Sequence, residues 1–288
     1  MIHTGQNQWA GSTGLEEPGR FSVRPYAPAD LPAVRELVAR DKLPGELPPP
    51  HGLPAQRPEG SKTFTLTGLE GGQVRGVMCL AVRRPDDAGL IHWLHAGEDF
   101  NAIAALLSFA RSHLGPRTLY AFTAPATSAD VPGLPGGHRL ATVRALTAAG
   151  FTPTTSQHYL LHDLTESPPE LADPIADVTL LNDFGGWRLT VIGMDDHVLA
   201  SALLSRPDPE SGTATLWHLA VHPMHRRRGL GHRLLTQCLH VAAAAGARRT
   251  ATHADPGYEP TARLLAAHDF DLIDTLTVYR RHPNCSPK

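Results

Sequence analysis

The chain has 288 residues, a formal net charge of −2 and 41% hydrophobic residues, a size that fits two domains each able to bury a core. The near-neutral balance argues against a general nucleic-acid binder. Cys79, Cys238 and Cys285 stand isolated, which speaks against a disulfide framework or a C-x-x-C metal site and fits a reducing cytoplasm. With no signal-peptide core and no run near the ~18 apolar residues of a membrane helix, the sequence reads as a soluble cytoplasmic protein with no metal, membrane or nucleic-acid partner.

Residues 1–20 are polar and Gly-rich and are expected to form a disordered lead. FSVRPY (21–26) alternates as a strand does, and Asp30 is placed to cap a helix carrying Leu31, Val34, Leu37 and Val38 at helical spacing. The prolines of 43–60 then rule out regular structure and make that stretch a loop or lid. Strands follow at 63–67, 74–82 and 90–96, a helix at 100–113 closed by Gly115, and a buried-type strand at 118–124. A second Pro/Gly loop (123–138) leads to a helix at 140–149 and to FTPTTSQHYLLHDL.

TESPPELADPIAD (165–177) reads as a linker, after which the order recurs. Strands are expected at 187–193, 198–204 and 214–221, a helix at 230–245, a strand at 249–253, a helix at 260–268 and a final segment at 270–281. Both halves, 21–164 and 178–288, thus read strand, strand, strand, helix, strand, helix, strand, the mark of a diverged internal duplication. The span from Leu94 to Gly115 is shorter than its counterpart from Leu219 to Gly246, and what the first half lacks is the stretch HRRRGLGH (225–232).

That stretch lies between an apolar strand, ATLWHLAV, and an amphipathic helix. A helix start has unpaired N–H groups and partial positive charge, and Gly229 and Gly231 leave its backbone bare enough for an anion to approach. A pyrophosphate suits that geometry.

VHPMHRRRGLG has the order V-x-P, a short spacer, then R-x-x-G-x-G, with Arg226, Gly229 and Gly231 in the matching places. It resembles motif A of the GCN5-related N-acetyltransferases (GNAT). The resemblance implies an α/β (α+β) chain of two tandem GNAT-like domains, each a central mixed, mostly antiparallel sheet flanked by helices. The N-terminal domain is degenerate, and only residues 178–281 carry the binding motif. Similar tandem arrangements occur in mycothiol synthase-like and some antibiotic N-acetyltransferases. Acetyl-CoA, or another acyl-CoA, is then the implied co-substrate. Leu219, Ala220 and Val221 would offer backbone groups to its pantetheine arm, and Arg226, Arg227, Arg228, Gly229, Leu230, Gly231 and His232 would wrap its pyrophosphate.

The family's usual acid, a tyrosine, is replaced here by Leu265, and Tyr258 is the candidate substitute. A base for an ammonium should titrate near neutral, which suggests His253 or His218, with Asp255 as a further candidate. Since 165–186 is too short to build the family's usual acceptor wall, the first half or a homodimer partner is expected to close it, with 43–60 and 123–138 as candidate lids. The expected reaction is acyl transfer to the amine of a small molecule. Transfer to a hydroxyl, a carrier-protein donor and a non-catalytic acyl-CoA sensor are the alternatives.

Overall fold

The computed structural model describes residues 21–43, 60–68, 71–124, 132–165, 173–183 and 185–283. The lead at 1–20, most of the Pro-rich stretch, the middle of the 123–138 loop, most of the linker and Cys285 lie outside the described residues.

The first half runs β1 (Phe21–Pro25), α1 (Leu31–Arg40), β2 (Lys62–Gly68), β3 (Val74–Arg83), β4 (Ala88–His95), α2 (Phe100–Leu114), β5 (Leu119–Ala121), β6 (Leu134–Pro135), α3 (Leu140–Ala148) and β7 (Thr152–Asp163). The second runs β8 (Asp177–Leu181), β9 (Gly186–Ile192), β10 (Val198–Ser205), β11 (Thr213–Val221), α4 (Leu230–Ala244), β12 (Arg249–Ala254), α5 (Glu259–Ala266) and β13 (Asp271–Arg281). Short 3-10 turns precede α1 and α4.

Elements sit close to where periodicity put them, with three differences. The strand expected at 118–124 is only Leu119–Ala121, because Phe122 turns to a φ of 61°. β8 lies where the sequence offered only the end of a linker. Asp30 does not cap α1; its carboxylate is drawn instead to Arg24 at 2.6 Å and also accepts from Thr65 Oγ1 and the Ala27 N–H. A charge-assisted fork of that kind outcompetes a neutral backbone N–H.

The strands form one sheet in the order β1-β2-β3-β4-β5-β13-β7-β12-β11-β10-β9-β8, with β6 beside β13. The halves meet by exchanging their last strands. β13, from the second half, pairs with β5 of the first, and β7, from the first half, pairs with β12 of the second. β7 and β13 also pair with each other, antiparallel, at the centre. Tyr159 is fully buried at this seam.

Two cores cover one face of the sheet. In the first, Ile103, Leu106 and Leu107 of α2 pack on Leu66, Met78 and Leu80, with Tyr279 from β13 joining across the exchange. In the second, Leu234, Leu235, Cys238 and Leu239 of α4 pack on Leu189, Ala202 and Leu216. On the opposite face α1 covers only the first half, through Val34 and Val38 against Val77, Cys79 and Trp93.

Residues 173–288 produced alone would present β12 and β13 with no β7 between them. Unpaired strand edges of this length promote association, so the fragment is expected in the insoluble fraction, recovered by co-expression with residues 1–165. A soluble, folded fragment by circular dichroism would contradict the interlock.

Candidate functional site

β11 and β12 are parallel neighbours only from Thr213 beside Arg249 to Leu216 beside Thr252. At that point the β10–β11 register shifts opposite Leu203 and Leu204, and the extra residue, Trp217, bends β11 away. Thr252 Oγ1 donates to the Leu216 carbonyl at 2.9 Å, marking the apex of the split. Beyond it opens a cleft of about 230 Å³, lined among others by Gln157, Trp217, His218, His253, Asp255 and Leu264.

Strand parity shows that the cleft passes through the sheet. Leu216, Thr252 and Ala254 point to the helical face; Leu216 and Ala254 join Leu264 and Leu265 of α5 in the core there. His253 is opposite Tyr159, and Tyr159 packs with Leu43, Leu161, Ala251 and Leu276 on the other face. His218 is opposite Leu203 on that same face. One side of the opening is therefore walled by helices, and the other is a sheet surface with polar side chains.

The loop after β11 reaches α4 through two left-handed residues, Arg227 (φ 58°) and Gly229 (φ 79°). Glycine at the second avoids the left-handed strain of about 1–2 kcal/mol. No side chain caps α4, and among the described residues no protein acceptor meets the N–H groups of Arg227 through His232. Nothing stands within 4 Å of the place a Gly229 side chain would occupy. This is a bare, positively polarised helix start with room in front of it, and the residues present fit a diphosphate.

Arg226 folds along the surface of the loop. Its Nε donates to the Val221 carbonyl at 3.1 Å and its Nη1 donates to Tyr258 Oη at 3.2 Å, tying the loop to the start of α5. Arg227 and Arg228 are exposed, and the His232 ring packs on His268 at 4.3 Å. Leu219, Ala220 and Val221 pair with Ala202, Ser201 and Ala200 of β10, so their other backbone edge borders the cleft where β12 has left.

Among the acid and base candidates, His253 is half-buried in the cleft, and its Nδ1 is buried with no partner among the described residues. Burial pushes its pKa below the ordinary histidine value, so the imidazole is neutral at pH 7. His218 is exposed on the cleft's polar side. Asp255 Oδ1 accepts the Gly257 N–H at 2.8 Å and so shapes a turn, while Tyr258 is exposed at the start of α5. Leu265 is 3% exposed and packs in the core. Among the described residues no group of three His, Cys, Asp or Glu could hold a metal.

The sequence did not single out Gln157. It comes from the first half, on β7, and enters the cleft only because of the strand exchange. No local pattern distinguishes an exchanged strand from one that returns to its own half.

In the first half the matching place is filled by the chain's own carboxylates. Asp99 Oδ1 caps α2, accepting from the N–H groups of Asn101 and Ala102, and Glu98 Oε2 accepts those of Ala141 and Thr142 at the start of α3. Arg139, 2% exposed, spans Glu98 and Asp41 at 3.1 Å each, and His95 Nδ1 lies 3.0 Å from Asp41. Burial opposes ionisation of Asp41, but the His95 hydrogen bond and the Arg139 charge outweigh it and hold its carboxyl below the ordinary value. An anion has no free helix start there.

A mostly antiparallel sheet split between two parallel strands, with a glycine-opened helix after the split, defines an acetyltransferase fold of the GNAT type. Residues 158–270 match the acetyltransferase (GNAT) family model. Those residues thus carry a GNAT acetyltransferase domain. No curated protein matches it in sequence. Among solved structures, a GCN5-related N-acetyltransferase from Sphaerobacter thermophilus is similar at a TM-score of 0.63 and 15% identity, over 92% of this chain and 96% of that one. A tandem GNAT protein from the clavulanic acid biosynthesis pathway superposes at 0.59 and 15% identity, over 92% and 99%. The glucosamine N-acetyltransferase region of a fungal multi-domain β-N-acetylglucosaminidase gives 0.63 at 13% identity, over 92% of this chain and 38% of that one. No helix among the described residues is long and apolar enough to cross a membrane.

Proposed function

We propose that this protein is an acetyl-CoA-dependent N-acyltransferase acting on the amine of a small molecule. Residues 178–288 carry the chemistry, and the degenerate GNAT-like half, 21–164, shapes the acceptor side. The observation that supports this most directly is the contrast between the two helix starts: α4 opens bare behind Gly229, whereas α2 is closed by its own Asp99.

The backbone of Arg227 to His232 would hold the pyrophosphate, and the free edge of Leu219 to Val221 the pantetheine arm. The thioester supplies an activated acyl group, to which the amine nitrogen forms a C–N bond as the C–S bond breaks. A fixed backbone donor on β11 stabilises the charge that develops on the carbonyl oxygen. His253, neutral because buried, accepts the proton that the ammonium must lose. Tyr258 Oη accepts from Arg226, which leaves its own hydrogen free to be donated to the departing sulfur.

Two experiments test the reading. Calorimetric titration with acetyl-CoA, followed by release of free thiol in the presence of small amines, should give binding and turnover; absence of binding would sink the proposal. Replacing His253 with Ala should lower kcat about 100-fold. In the parent, kcat/KM should fall as pH drops through a value below the ordinary histidine 6.5, since protonation removes the base. An unchanged rate across the pH range would remove His253 from the mechanism.

A further inference from the structure

The N-acyltransferase reading leaves open what orients the acceptor amine, and the polar side of the cleft bears on that. Gln157 and His253 lie on the same face of the sheet: His253 is opposite Tyr159, and Gln157 is two residues along β7 from Tyr159. Such diagonal neighbours are about 7–8 Å apart at the backbone, within reach of long side chains. Gln157 Oε1 is buried and, like His253 Nδ1, has no partner among the described residues. Both residues line the cleft. Two buried, unpaired polar atoms on one side of one opening are costly unless a ligand meets them.

The facing chemistry is restrictive. Gln157 Oε1 is an acceptor only, and neutral His253 can take a proton. A group that donates to one and yields a proton to the other carries at least two N–H bonds, as a primary or secondary ammonium does. A hydroxyl has a single hydrogen and cannot satisfy both. A thioester held at the start of α4 would enter from the helical side, where Gly231 adjoins Leu264, while Gln157 lies on the opposite face. The other titratable groups on the cleft are His218 across the opening and Asp255 beyond β12.

Building on that reading, we infer that Gln157, delivered across the strand exchange from the first half, is the positioning residue for an amine acceptor whose ammonium form carries at least two N–H bonds. One N–H of the nitrogen donates to Gln157 Oε1, another proton leaves to His253, and the lone pair so freed is directed at the carbonyl carbon. The half without its own anion site thus supplies a wall of the other half's acceptor site.

The test uses the full chain, acetyl-CoA and a panel of small primary amines (glycinamide, ethanolamine and glucosamine). Gln157→Leu keeps the volume and removes the acceptor. KM for the best amine should rise about tenfold or more, the loss of a hydrogen bond to a charged group, while acetyl-CoA affinity and thermal midpoint stay the same. Gln157→Glu retains an oxygen acceptor and should restore most of the amine affinity. Its negative charge should move the acid limb of the rate profile upward by favouring protonated His253. An unchanged amine KM in Gln157→Leu, or a loss confined to acetyl-CoA binding, would overturn the assignment. Should the parent bind acetyl-CoA yet turn over no amine, the N-acyltransferase reading itself would fall, a result separable from failure of Gln157 alone.

Discussion

Replacing Arg139 with methionine is expected to cost about 3–5 kcal/mol of folding stability, measured as a lower urea midpoint at unchanged slope. The residue is far from the proposed chemistry, and the size of the effect comes from what it leaves behind. Arg139 is 2% exposed and spans Asp41 and Glu98, while donating to the Leu94 carbonyl at 2.9 Å and to Thr142 Oγ1 at 3.1 Å. Methionine fills much of the space but strands the Asp41 carboxylate in a dry interior without its cationic partner, held only by His95 and the Ala96 N–H. The pH dependence follows from the direction of the Asp41 shift. Its folded pKa is depressed below 3.8, so the stabilisation is present above about pH 4 and fades as pH falls through the folded value. The gap between parent and variant should therefore narrow in acid.

The second large effect is expected at Gly231. Aspartate there would set a carboxylate against the diphosphate at the start of α4. Two like charges about 4 Å apart interact by about 4 kcal/mol at an effective dielectric of about 20, or roughly 1000-fold in Kd for acetyl-CoA. Alanine is the matched control. A methyl group at this position would lie 3.5 Å from Val221 Cγ2 and Leu264 Cδ2, ordinary contact, so binding should stay within a few-fold of the parent. Calorimetry on both variants separates charge from bulk, and an aspartate variant that binds normally would show that the anion sits elsewhere.

Much of this molecule was legible in the sequence. Periodicity located α2 and α4, and the glycines of HRRRGLGH marked a helix start, since Gly229 does adopt the left-handed conformation that glycine allows. What could not be read were pairings over long sequence distance. The alternation of FTPTTSQHYLLHDL is the same whether β7 closes its own half or the other, so Gln157 carried no visible signal. The capping role of Asp99 and Glu98 was hidden for a related reason: only the packed loops reveal that these carboxylates fill the place where the second half stays bare.

The exchange of β7 and β13 has a consequence for how the chain tolerates change. Neither half can relax or unfold without opening the sheet of the other, so the two form a single cooperative unit. The half without a bare helix start is thereby not released to drift. A defect in its packing lowers the population of intact sites as surely as one beside His253, and harmful substitutions should be spread over both halves of the gene, although the proposed chemistry is concentrated in one.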